Sequence, residues 1–111
     1  MFRIIRNSRI PKILSVFMPI NAIALYPFIF LKDDGEERVI SHELIHIAQQ
    51  KELFIIGFYL LYVYYWVKGL LKGKGVNLAY LEIPFEVEAY KNENKRIYFM
   101  YREKYAWKKY R

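Results

Sequence analysis

The sequence contains no cysteine and only two histidines among its 111 residues. Without cysteine there is no disulfide, and any metal site must draw on imidazole, carboxylate or water. The same absence fits a cytosolic chain. Internal repeats and low-complexity tracts are missing as well, which excludes repeat architectures. No secretory signal is predicted either. Ile10 to Phe17 is apolar after a basic start, but Pro11, Lys12 and Pro19 interrupt it, and no small-residue cleavage site follows. Acidic residues are scarce: 11 against 18 lysines and arginines, a net charge of +7.

What is abundant is apolar and aromatic. The hydrophobic fraction is 55% and the aromatic fraction 19%, led by 11 tyrosines and 8 phenylalanines. One domain of this length buries a real core but not a deep one, so the excess must go to an oligomer interface, a membrane surface or that core. Charge is uneven. Residues 1–12 hold Arg3, Arg6, Arg9 and Lys12 with no acid, and residues 91–111 hold eight bases against two acids. Basic ends around a mildly acidic centre favour anionic lipid or nucleic acid, or simply keep an oily chain in solution.

Along the chain, residues 1–18 alternate basic and apolar stretches and predict a short helix or strand, with Pro19 and Asn21 as punctuation. Ala22 to Lys32 is rich in β-branched and aromatic residues and contains Pro27. It predicts one edge strand, or two short strands bent at Pro27. Asp33-Asp34-Gly35 is a turn. Glu36 to Gln50 predicts a helix: acids suit its first turn, and Val39, Ile40, Leu44, Ile47 and Ala48 recur at helical spacing. Leu53 to Leu71 is the most apolar stretch, close to a membrane span in length, but Tyr59, Tyr62, Tyr64 and Tyr65 favour a thick core helix with an interfacial side. Lys72 to Gly75 is a loop. Pro84 marks the start of a helix expected to continue through Tyr101, with Ile97, Met100 and Tyr101 on its apolar side and a further helical stretch behind it.

The chemistry concentrates in Ser41-His42-Glu43-Leu44-Ile45-His46, which holds both histidines. On a helix, positions four apart share a face, so two imidazoles can grip one zinc ion at about 2.0–2.1 Å each. Glu43 stays beside the metal without binding it and can move a proton from an activated water to a leaving amine. A catalytic zinc needs a third protein ligand and one open position. With no third histidine, that ligand is a carboxylate from Glu82, Glu86, Glu88 or Glu93. Glu86 and Glu88 stand roughly 200° apart on a helix, so only one of them can face the metal.

HExxH followed by a later helix bearing Glu-x-x-Ala, here Glu86-Val87-Glu88-Ala89, resembles the gluzincin clan of zinc metallopeptidases. The small size resembles the minigluzincins, and His42 to Gln50 followed by a Tyr-rich helix and Pro84-Phe85-Glu86 is similar to small uncharacterised bacterial HExxH proteins. The resemblance implies Glu86 as third ligand, with Glu88 as the alternative. Many relatives carry Asp where this chain has Tyr90, which removes the usual carboxylate behind a metal ligand. The clan also implies a role for Ala22–Leu31, an edge strand that pairs with extended peptide substrate. Tyr90, one turn after Glu86, and Tyr80 are candidate oxyanion stabilisers.

Together these readings give a single α+β domain over residues 1–111: a small N-terminal sheet or hairpin, a zincin-like active-site helix, a long apolar helix, a ligand-bearing helix and a basic tail from about 95. The expected activity is zinc-dependent hydrolysis of a peptide or protein substrate, by a cytoplasmic or membrane-associated protein. Other readings fit the same residues: a membrane-associated protein without catalysis, a latent or inactive peptidase closed by its own N-terminal segment or a second copy, and a nucleic-acid binder using Tyr98, Tyr101, Tyr105 and Trp107 between basic residues. No recognisable nucleic-acid motif supports the last.

Overall fold

In the computed structural model, residues 3–11 and 22–111 are described. The apolar stretch Ile10–Phe17 beyond Pro11, and the break at Pro19 and Asn21, lie outside the described residues. Three short strands form one sheet: β1 (Arg3–Ile5), β2 (Ala22–Leu25) and β3 (Phe28–Leu31). Their order is β1-β3-β2, with β1 parallel and β2 antiparallel to the central β3. Of the two expectations for Ala22–Lys32, the bent one holds: β2 and β3 are a hairpin turning at a cis Tyr26–Pro27 bond. In β3 the alternation is plain, with Ile29 and Leu31 fully buried and Phe28 and Phe30 on the other side.

The turn at 33–35 needs its glycine. Gly35 has φ +80°, and a Cβ there would lie 2.6 Å from the Leu31 Cδ1. The Asp33 carboxylate accepts the Gly35 N–H at 2.8 Å and fixes the turn. Helix α1 (Glu37–Glu52) follows and is buried on two sides. Leu44 and Ile47 pack on the sheet with Ala24, Ile29 and Leu31. Ser41, His42, Glu43, His46, Gln49 and Gln50 are buried as well, although they are polar.

The apolar stretch expected as one helix over Leu53–Leu71 starts later, as α2 (Ile56–Leu71). Phe54 and Ile55 take positive φ values of 57° and 67°, and the chain bends by 112° between α1 and α2. Each such residue costs about 1–2 kcal/mol relative to ordinary helix. Compensation comes from Leu53 and Phe58, which enter a second core with Ile83, Phe85 and Trp107. No single helix among the described residues is long and apolar enough to cross a membrane. The 16 residues of α2 reach about 24 Å, short of a hydrocarbon core of about 30 Å.

A helix that composition did not announce, α3 (Val76–Leu81), crosses α2 where Gly69 meets Ala79. A Cβ on Gly69 would sit 3.0 Å from that of Ala79, so the glycine permits the crossing. Pro84 opens α4 (Pro84–Asn92) as expected. The continuation through Tyr101 does not hold. The Asn92 side chain donates back to the Glu88 carbonyl at 2.8 Å and ends the helix; α5 (Tyr98–Tyr101) and a 3₁₀ turn (Ala106–Tyr110) follow.

The polarity expected of the tail fails at its apolar stripe and at Arg102, although the other bases stay exposed. Ile97, Met100 and Tyr101 are 60%, 72% and 60% exposed, while the Arg102 side chain points inward and Trp107 packs on Phe85 at 4.7 Å between ring centroids. Through Trp107 the tail joins the second core. Accordingly, Trp107→Ala should cost about 3–5 kcal/mol in urea unfolding, whereas Met100→Ala should stay within about 0.5 kcal/mol of the parent.

Candidate metal centre

The site forms where α1 faces α4, between the two cores. His42 and His46 lie one turn apart on α1, with ring centroids 4.8 Å apart. Glu86, in the first turn of α4, meets both: its Oε1 lies 3.0 Å from His42 Nε2 and 3.1 Å from His46 Nε2. All three side chains are buried, and their ligand atoms lie within 4.8 Å of one another. Two donors bound tetrahedrally at about 2.0–2.1 Å from zinc stand about 3.3–3.4 Å apart. The two Glu86–imidazole spacings are a few tenths of an ångström shorter than this. His42, His46 and Glu86 therefore form a group able to hold a metal.

The far sides of the ligands are fixed too. His42 Nδ1 lies 2.9 Å from Glu93 Oε1, and His46 Nδ1 lies 2.8 Å from Gln49 Oε1. With Nδ1–H donating to each oxygen, both Nε2 atoms face the shared centre, where they can carry a proton to Glu86 or bind a metal ion. Glu93 is held in turn by Arg38 at 2.7 Å. Gln49 is aimed by its own donations to the Phe85 carbonyl at 3.1 Å and to Glu88 at 2.9 Å. Tyr62 donates to the other Glu86 oxygen at 2.6 Å, and Tyr80 reaches Oε1 at 3.3 Å.

The electrostatics call for positive charge at this centre. Burial alone would raise the Glu86 carboxyl, but the two imidazoles overcome it and hold Glu86 well below the usual carboxylate range. Burial would likewise lower His46, and Glu86 outweighs it, lifting His46 to about 9. Glu43 behaves differently. It is raised chiefly by burial, which the histidines and a backbone hydrogen bond from Ala24 only partly offset. The hydroxyls of Tyr62 and Tyr80 are pushed up by burial and then by Glu86, so both stay protonated donors.

Each residue singled out in the sequence now has a place. His42, His46 and Glu86 come together, and of these His46 and Glu86, with Glu43, line a cavity of about 190 Å³ that Ala22, Ile23, Phe58 and Tyr59 also line. Glu88, the alternative ligand, is turned away and fully buried. Arg102 holds it at 2.6 and 2.8 Å, Tyr98 at 2.9 Å and Gln49 at 2.9 Å. Glu82 pairs instead with Lys74. Tyr90 sets its ring against His42, centroids 4.4 Å apart, and shares a hydrogen bond of 3.0 Å with Tyr80.

Glu93, weighed above as a ligand, supplies the carboxylate behind His42 that the Asp-to-Tyr90 difference seemed to remove. Its spacing was legible: seven residues after Glu86, it returns to the same face of the helix. Gln49, three residues after His46, was legible in the same way. Tyr62 carried no local signal, because it arrives from a separate helix, whereas Arg38 stands one turn before His42 on α1 and was legible by that spacing. No family model, curated protein or solved structure matches this chain.

Metal analysis after dialysis should give about one divalent ion per chain. His46→Ala and Glu86→Ala should each lose it. Glu93→Gln should keep the site but weaken affinity about 10–100-fold in competition with a chromogenic chelator. Equal metal content in all four proteins would refute the centre.

Proposed function

We propose that this chain is a zinc-dependent peptidase that uses His42, His46 and Glu86 as ligands and Glu43 as the proton carrier, in the manner of the gluzincin clan that its motifs resemble. The observation that supports it most is the convergence of both imidazoles on one Glu86 oxygen, with Glu43 lining one cavity together with His46 and Glu86. Two nitrogen donors and one carboxylate suit zinc among the common divalent ions and leave a position open. Zinc held there supplies Lewis acidity, which polarises a peptide carbonyl and makes water a nucleophile near neutral pH.

The chain's own residues do the rest. Glu43, lining the cavity beside His46 and Glu86, is placed to take a proton from water and give it to a leaving amine. Tyr80, kept protonated and only 3.3 Å from Glu86, is the nearer donor to an oxyanion, and Tyr90 orients it from behind. Ala22, Ile23, Phe58 and Tyr59 exclude water around the reacting groups and favour an apolar substrate side chain. Substrate backbone would lie along the β2 edge beside Ala22.

One observation favours a second reading, a latent peptidase. The Gln50 carboxamide already donates to the Ala24 carbonyl at 2.8 Å and accepts the Tyr26 N–H at 2.7 Å, as a paired strand would. Tyr59 donates to the same Ala24 carbonyl. A peptide seeking that stretch of edge must displace them.

The test is a fluorogenic peptide library digested by zinc-loaded protein. Glu43→Gln should retain zinc and lose about 10²–10⁴-fold in kcat/KM. Tyr80→Phe should lower kcat about 10-fold or more with KM little changed. If fully loaded wild type cleaves nothing but Gln50→Ala does, the latent reading stands; if neither cleaves, the peptidase proposal fails.

A further inference from the structure

Helix α2 has two faces with different destinies. Phe58, Tyr59, Tyr62 and Tyr65 turn inward to the second core and the metal cavity. Ile56, Leu60, Val63, Tyr64, Val67 and Leu71 turn outward and are all exposed, Leu60 by 68% and Leu71 by 83%. At 100° per residue these six fall within about 100° of arc, so they form one continuous stripe. Patches of this kind on a single chain mark an interaction surface.

The charge beside the stripe says what it meets. Lys68 and Lys72 border it. They also line a cleft of about 440 Å³ with Lys74, Arg111, Tyr64 and Tyr65. Its only acid, Glu82, is paired with Lys74, which leaves Lys68, Lys72 and Arg111 as surplus cations. Helix α2 itself contains no acidic residue. A second copy of this chain would therefore bring no carboxylate on this face to meet those cations, and both copies carry +7. An anionic bilayer supplies both requirements at once, acyl chains for the stripe and phosphates for the cleft. A helix too short to span but apolar along one side, with lysines at its edge, is suited to lying in the interfacial plane, lysine stems reaching up to headgroups.

We propose that the outer face of α2 docks this protein on an anionic lipid surface, the stripe from Ile56 to Leu71 entering the headgroup boundary and Lys68, Lys72 and Arg111 contacting lipid phosphates. Docking rests on neither metal nor catalysis, so it stands or falls apart from the peptidase proposal.

Vesicle flotation tests it on the full-length chain, with phosphatidylcholine alone and with phosphatidylcholine containing one third phosphatidylglycerol. The protein should float with the anionic vesicles and stay behind with the neutral ones. Lys68→Gln/Lys72→Gln should weaken binding roughly 30-fold, since each basic residue near such a surface is worth about fivefold. Leu60→Asp/Val67→Asp should abolish binding while thermal melting stays close to the parent, because both positions are exposed. Failure to float with either vesicle, or binding that ignores the double lysine variant, overturns the proposal. So does a concentration-dependent dimer that Leu60→Asp/Val67→Asp dissolves in the absence of any vesicle binding.

Discussion

A carboxylate removed from water must find partners for both oxygens, and the arrangement around Glu86 is the consequence. Two imidazoles and the Tyr80 hydroxyl reach one oxygen, and the Tyr62 hydroxyl takes the other. Those partners come from α1, α2 and α3, so a single desolvated charge ties three helices to the α4 that carries it. Left unpartnered it would cost several kcal/mol, enough to unfold a small domain. The same convergence concentrates negative potential between the two Nε2 atoms, where a proton or a metal ion relieves it.

Outward from that point the polar groups form two chains. One runs from His42 through Glu93 to Arg38, and the other from His46 through Gln49 to Glu88 and Arg102. The second chain explains why one base of a tail that looks solvated in the sequence, Arg102, is packed inside while Lys104, Lys108 and Lys109 stay exposed. Arg102 also reaches Glu52 at 3.1 Å, and so joins the end of α1 to the chain's last turns. Buried ion clusters of this type contribute less to net stability than to fixing one arrangement, because removing one partner strands the others.

Much of the centre was legible because its information is local. Four-residue spacing puts His42 and His46 together, Pro84 announces α4, and Glu86 follows within its first turn. The hairpin at Pro27 was legible for the same reason. Elsewhere the information was not local. The bend at Phe54 and Ile55 violates their own backbone preferences and is sustained by the packing of Leu53 and Phe58 and by backbone hydrogen bonds such as Ile55 N–H to the Gln50 carbonyl. Helix α3 lacks periodicity over its six residues and exists by leaning on Gly69. The tail was misread because a stripe of Ile97, Met100 and Tyr101 looks like a core side, when the decisive partner of Arg102 was a glutamate fourteen residues upstream.

Helix α2 presents aromatic rings to the cavity and a mostly aliphatic row, with Tyr64 in it, to the outside along the same 16 residues. A single inserted or deleted residue would rotate everything beyond it by about 100°. Tyr62 would leave Glu86, and the aliphatic row would swing towards the core. The length of this segment is thereby locked more tightly than its composition: side chains on either face can be exchanged within their kind, but register can drift only by whole turns.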